Sequence, residues 1–298
     1  MKNLLKVILS IVVLSFPAFS QMMQTPPQQQ LQLPRESQRA SVTQTVGDTN
    51  ITIVYFRPNV KGREIFGKLV PYGEVWRTGA NENTTFETSQ DITVNGQKLA
   101  AGKYGLHTIP TNGDWTIIFN KASDAFGSFT YDQKQDALRV PAKPKTMGDS
   151  HETMGIEFEN IKANAADIVI VWDKLKVPFT VNVGDVNPRV LINARKAVAE
   201  AKADDFRTPL QAASFVYSGR IAPNYNEAIQ WTNQSIKARE TFNGYNLKAR
   251  IFSEMGNYKE ALATGQKAIA FSKTAKPAVS AAATADLEKE MATWKTKI

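Results

Sequence analysis

The chain has 298 residues, 42% of them hydrophobic, and a formal net charge of +8. That length accommodates two domains, and that apolar content supplies real cores, which excludes global disorder. With no cysteine in the sequence, disulfides, a thiol nucleophile and a cysteine-ligated zinc site are all excluded.

The charge is unevenly placed. From Gln21 to Gly184, 17 basic residues face 17 acidic ones, whereas from Asp185 to Ile298 there are 17 basic and 11 acidic residues. The excess is dispersed along a region of helical period with no block of like charges. It reads as a solvated helical face, and no nucleic-acid partner is expected.

Residues 1–20 read as a signal peptide: Lys2 and Lys6 form the positive end, an apolar run extends from Leu4 to Phe19, and Ala18 and Ser20 offer a small-residue cleavage site before Gln21. The run is short for a membrane span, and no later segment approaches that length, so no membrane span is expected after cleavage. The expected location is the periplasm or the exterior. Residues 21–36 are rich in Gln and Pro and read as a disordered tether.

Residues 37–184 read as a β domain. Ser41–Val46 and Asn50–Phe56 alternate with period two and meet at Gly47-Asp48. Thr84–Ser89, Ile92–Val94, Tyr104–Ile109, Trp115–Asn120, Ile156–Ile161, Ile168–Trp172 and Phe179–Val183 follow, for about nine short strands. Asn95-Gly96 and Asn112-Gly113 both predict type I′ hairpin turns, which need positive φ at two successive residues. No crossover helix pattern lies between the strands, so the expected fold is an all-β antiparallel sandwich.

Residues 185–298 read as an all-α helical-repeat domain. Pro188 suits the first turn of a helix over Asn187–Lys202. Asn224-Tyr225-Asn226-Glu227-Ala228-Ile229 returns 33 residues later as Asn257-Tyr258-Lys259-Glu260-Ala261-Leu262. That spacing, with Ala249, Phe252, Gly256, Tyr258, Ala261 and Ala268, resembles the tetratricopeptide repeat, in which small residues let paired helices approach and larger ones fill beside them. Gly265 departs from the pattern, which there favours a larger residue. The helix before the two copies and one over Thr284–Lys295 are expected to cap them.

The segment Tyr55–Thr85 concentrates Arg57, Lys61, Arg63, Lys68 and Arg77 against Glu64, Glu74 and Glu82. Arg57–Tyr72 is long for a loop, and loops of that length are commonly functional. The candidate ligand-binding set is Arg57, Arg63, Trp76, Arg77, Asn81 and Glu82, because guanidinium forks bind carboxylates and phosphates bidentately. The same arginines could instead pair with Glu74, Glu82 or loop carbonyls and hold the loop down. Trp76 and Trp115 are expected in the core, with a sugar-stacking platform as the alternative. Gly62–Lys68 imitates a phosphate-binding loop, but Leu69 stands where a magnesium-holding hydroxyl belongs.

Arg57-Pro58, Lys61-Gly62-Arg63 with Phe66-Gly67, the run Trp76–Thr84, Ala101–Tyr104, and Ile109-Pro110 with Trp115 resemble a bacterial family catalogued as domain of unknown function 2911. The resemblance spans roughly Ser41–Val183. It implies an exported β domain, often followed by helices, and carries no activity, substrate or catalytic residue. No catalytic residue, metal or cofactor is assigned from the sequence. His107 reads as a sheet residue and His151 as part of a polar loop. A hydrolase would have to use Glu82 or the Asp149–Glu152 loop. The partner expectations are a small anionic or glycan ligand for the β domain and a protein partner for the helices.

Overall fold

The computed structural model describes residues 33–298. The expected signal peptide and most of the expected tether lie outside the described residues. Among the described residues no helix is long and apolar enough to cross a membrane.

The first half contains ten strands: β1 (Gln38–Val46), β2 (Thr49–Arg57), β3 (Thr85–Thr88), β4 (Ile92–Val94), β5 (Gln97–Leu99), β6 (Gly102–Ile109), β7 (Trp115–Asn120), β8 (Asp136–Ala142), β9 (Lys145–Glu159) and β10 (Ala165–Asn182). They form a six-stranded sheet in the order β1-β2-β3-β6-β7-β8 and a four-stranded sheet in the order β5-β4-β10-β9. Every strand pairing is antiparallel. Ile51, Ile53, Phe86, Leu106 and Phe119 from the larger sheet and Ile168, Ile170, Phe179 and Val181 from the smaller one share a single hydrophobic cluster. In β2 the period-two alternation turns one set of side chains to the partner sheet and leaves the other more exposed, whereas β6, β7 and the first half of β10 carry buried residues on both faces.

Three strand expectations change. Asn95 and Gly96 both have positive φ, as a type I′ turn requires. Asn112-Gly113 does not form such a turn, since neither residue has positive φ. There the Thr111 hydroxyl accepts a bond from the Gly113 amide and donates to the Asp114 carbonyl, an alternative local closure. The segments Ile168–Trp172 and Phe179–Val183 belong to one long strand, β10, which absorbs the polar Asp173-Lys174 pair as a bulge with Asp173 at φ 50°. The Asp149–Glu152 stretch, expected as a loop, lies inside β9.

The second half contains six α-helices: α1 (Asn187–Glu200), α2 (Arg207–Ser218), α3 (Tyr225–Ala238), α4 (Phe242–Glu254), α5 (Tyr258–Ser272) and α6 (Ala281–Lys295). Consecutive helices pack on one another around two hydrophobic clusters separate from that of the sheets. The chain is therefore an antiparallel β region followed by an all-α region. Gly265, the departure noted in the sequence, has a steric cause. A Cβ there would lie 2.9 Å from Met291 Sδ and 3.4 Å from the Trp294 ring, so α5 meets α6 at a point with no room for a larger residue. The two halves are tied at Asp48, in the β1–β2 turn, whose carboxylate accepts bonds from Arg189 Nε at 2.9 Å and Nη2 at 2.7 Å.

Candidate functional site

The long connection between β2 and β3 holds most of the candidate residues, and its path explains their positions. The Val60 amide donates to the Glu152 carbonyl at 2.8 Å, tying the start of the loop to β9. Ile65 and Val70 are buried, and the Gly67 amide donates to the Val70 carbonyl while the Val70 amide donates to the Ile65 carbonyl, closing a tight turn that drives both into the core. The loop then adds a short bridge to the larger sheet, where Trp76 and Thr108 exchange amide–carbonyl bonds of 2.8 Å in both directions.

Beyond the bridge the backbone is strained. Thr78 has φ 55° and Asn81 φ 58°. A β-branched residue in the left-handed region is unusual and persists only where its surroundings over-determine it. Here the fully buried Thr78 hydroxyl bonds to Thr108 Oγ1 at 3.2 Å, and its carbonyl accepts from Thr84 Oγ1 at 2.7 Å. Gly79 sits at φ 155°, and a Cβ there would meet the Phe56 carbonyl at 2.9 Å. The residue held between these anchors is Arg77.

Arg77 is half-buried. Desolvation pushes its guanidinium below the ordinary arginine value. Its buried Nε has no hydrogen-bond partner, and among the described residues it makes no ion pair. It lines a cleft of about 220 Å3 together with Lys61, Arg63, Trp76, Trp172 and the rim residue Glu36. Trp172 also keeps a buried indole Nε1 without a partner. Buried donors are nearly always satisfied in folded proteins, yet both of these atoms are sealed from solvent without a partner, as is Trp115 Nε1, which does not line the cleft.

The sequence-nominated residues divide at this point. Arg63 and Arg77 share the cleft, with Lys61 completing the cationic set. Arg57 does not line it, and its Nε donates to the Met154 carbonyl at 2.7 Å as a structural tie to β9. Arg63 is partly tethered in the same manner, to the carbonyls of Val60 and Asn59. Glu82 accepts two 2.6 Å bonds from Arg35, which hold its carboxyl below the usual range, and the Asn81 amide donates to the Ser37 carbonyl. Both therefore serve a strap, residues 35–37, that runs along the cleft rim. Glu36 of the strap pairs with Lys61. The end of the expected tether is thus fastened to the loop.

Trp76 is 9% exposed and stacks on Trp172 with centroids 5.8 Å apart, while Phe66 and Trp115 meet it edge-on. Its Nε1 donates to the Gly79 carbonyl at 3.1 Å. It offers no open face to a sugar ring, and neither does Trp115, which is 1% exposed. Sequence reasoning missed Trp172, which no local signal connects to a loop nearly a hundred residues upstream.

The hydrolase alternatives lack assembly. Glu82 is occupied by Arg35, and Glu152 lies in β9, where its side chain accepts the Lys61 amide. His107 is buried in β6, and burial lowers its pKa to about 4, so it is neutral at neutral pH. Ser128 Oγ lies 3.4 Å from its Nδ1, but the nearby Asp136 carboxylate is already taken by Asn120, Tyr131 and Arg139 and does not orient the ring.

Residues 37–181 match the family model described as protein of unknown function (DUF2911). The DUF2911 match covers the two sheets and ends just before the close of β10, leaving all six helices outside it. Neither the curated proteins nor the solved structures yielded a match.

Proposed function

We propose that this is an exported envelope protein that binds a small anionic ligand in the cleft at Arg77, and that it acts by binding rather than by catalysis. The observation that carries this reading is Arg77 itself: a desolvated guanidinium, held beside a strained backbone, that makes no ion pair among the described residues. Arginine is matched to planar carboxylate and phosphate acceptors, and a partly dry cleft strengthens such bonds. A neutral glycan is less favoured, because Trp76 and Trp115 are covered. Export is supported by the pattern of residues 1–20, and sequencing the mature N-terminus should find Gln21 first.

A thermal-shift panel of inorganic phosphate, sulfate and simple carboxylates tests the binding reading. At least one of these anions should raise Tm for the full chain, and Arg77→Gln should remove that rise while the variant still folds. A cleft whose arginine only braces the loop would give no shift with any anion and a large loss of stability in the variant.

We also read α2–α5 as two tetratricopeptide-like pairs, with α1 and α6 as caps and a protein partner on the helical surface. Ala228 and Ala261, which occupy equivalent places in the two copies, are both fully buried, in keeping with close helix approach. A shallow cleft of about 390 Å3 between α2 and α4, lined by Tyr217, Asn243, Asn246 and Arg250, supports the partner reading. Full-length protein carrying Asn246→Ala and Leu247→Glu should lose a partner recovered by the unaltered chain. Retention of every partner would count against it.

A further inference from the structure

The cleft at Arg77 does not end at Arg77. A second cleft, of about 300 Å3, lies against the same wall, and the two share Leu69, Val70, Trp76 and Arg77. Their chemistry is opposite. The first is lined by Lys61 and Arg63. The second is lined by Pro71, Val75 and Phe129 in addition to Leu69 and Val70, with Glu74 its one acidic residue.

The apolar side is unusual for a surface. Phe129 is 86% exposed and Leu69 45% exposed. A single exposed apolar residue needs no explanation, but here a phenylalanine, a leucine and a valine line one groove beside a cation that lacks a partner. The backbone of the loop bearing Phe129 is fixed, because the Gly127 amide donates to the Asn81 carbonyl at 3.2 Å and the Asn83 amide to the Ala125 carbonyl at 3.1 Å. Phe129 is therefore presented by an anchored turn. Pockets that hold small molecules commonly pair an apolar lining with a few placed polar groups, and this groove separates the two kinds along its length.

We propose that the ligand is a soluble anionic amphiphile with a single acidic head, an alkyl phosphate or alkyl carboxylate, whose head sits among Lys61, Arg63 and Arg77 and whose tail lies along Leu69, Val75 and Phe129. The proposal rests on the anion-binding reading and adds the tail to it. Glu74 makes the assignment directional: a carboxylate in the tail compartment opposes a second acid there, so diacids bind less well than monoacids of equal length.

Isothermal titration calorimetry of the full chain with inorganic phosphate, butyl phosphate, hexyl phosphate and octyl phosphate, each kept below its micelle concentration, tests both parts. Affinity should rise with chain length, by up to about fourfold for each methylene that is fully covered. Phe129→Ser should flatten this dependence. Arg77→Gln should weaken every member of the series about equally. Lys61→Gln, at an exposed position, provides a second test of the head site should Arg77→Gln fold poorly. Binding of inorganic phosphate with no gain from longer chains overturns the amphiphile and leaves the anion site standing. Octanol binding as tightly as octyl phosphate overturns the head site as well. Association with phosphatidic acid vesicles but not with monomeric octyl phosphate also overturns the proposal, in favour of a membrane surface.

Discussion

The two halves of the chain solve the packing problem in opposite ways. In the β region the core is built from large side chains brought together from distant positions: Phe66, Trp76, Trp115 and Trp172 meet at centroid distances of 5.0 to 6.5 Å, across more than a hundred residues of sequence. In the helical region the deciding residues are the smallest, Ala213, Ala228, Ala249, Ala261 and Ala268, all fully buried, and each helix packs on its neighbours in sequence. Long-range convergence creates corners where loops, strands and a strap meet, and the basic cleft lies at such a corner. Nearest-neighbour stacking creates continuous faces instead. The proposed small-molecule site accordingly falls in the first half and the proposed docking surface in the second.

The sharpest way to break this comparison is Trp76→Ala. Removing a buried, stacked indole should cost about 3–5 kcal/mol in chemical unfolding of the β region. A change below about 1 kcal/mol would mean that the indole cluster does not organise that half. Next comes Gly79→Ala, which places a Cβ against the Phe56 carbonyl at a φ that other residues avoid. It should cost about 1–3 kcal/mol and disturb Arg77 as well, seen as a weaker anion-induced rise in Tm. Ala261→Leu tests the other half. Overpacking the fully buried contact should cost about 1–3 kcal/mol, and the loss should fall on a helical transition that far-ultraviolet circular dichroism can separate from the sheet signal. If Trp76→Ala and Ala261→Leu lower one common transition, the halves unfold as a single cooperative unit.

The smallest expected effect concerns their junction. The Arg189 guanidinium holds the Asp48 carboxyl below its ordinary value. A carboxyl depressed in the folded state contributes stability above its unfolded pKa and loses it as pH falls through the folded one. Asp48→Asn should therefore cost about 1 kcal/mol at pH 7, with the difference from the unaltered protein fading in acid below about pH 4. A difference that stays constant from pH 7 to pH 3 would assign the effect to something other than the ion pair.

Legibility followed the range of the interactions. Asn95-Gly96 was readable because its turn chemistry is local, and Ile51, Ile53 and Tyr55 because alternation is local too. Strand β8 was not readable. Asp136, Arg139 and Pro141 break its pattern, and an edge position tolerates them because one side of the strand owes no ladder bonds. The split of β10 in the sequence reading came from Asp173-Lys174, a polar pair that reads as a turn and folds as a bulge. In the cleft, Arg63 and Arg77 stood out through the density of cations in one loop. What separated them from Arg57 was the Met154 carbonyl, a β9 neighbour that only strand pairing supplies.

The walls of the cleft come from the strap at residues 36–37, the β2–β3 connection and Trp172 on β10. No contiguous piece of the polypeptide contains them all, so the cleft comes into being only when both sheets are closed. If the proposed anion binds there, occupancy acts as a seal on the closed pair of sheets: at a ligand concentration one hundred times Kd, mass action adds about 2.7 kcal/mol to the closed form alone. On the proposed reading of an anion binder, the ligand would thus consolidate the very fold that receives it.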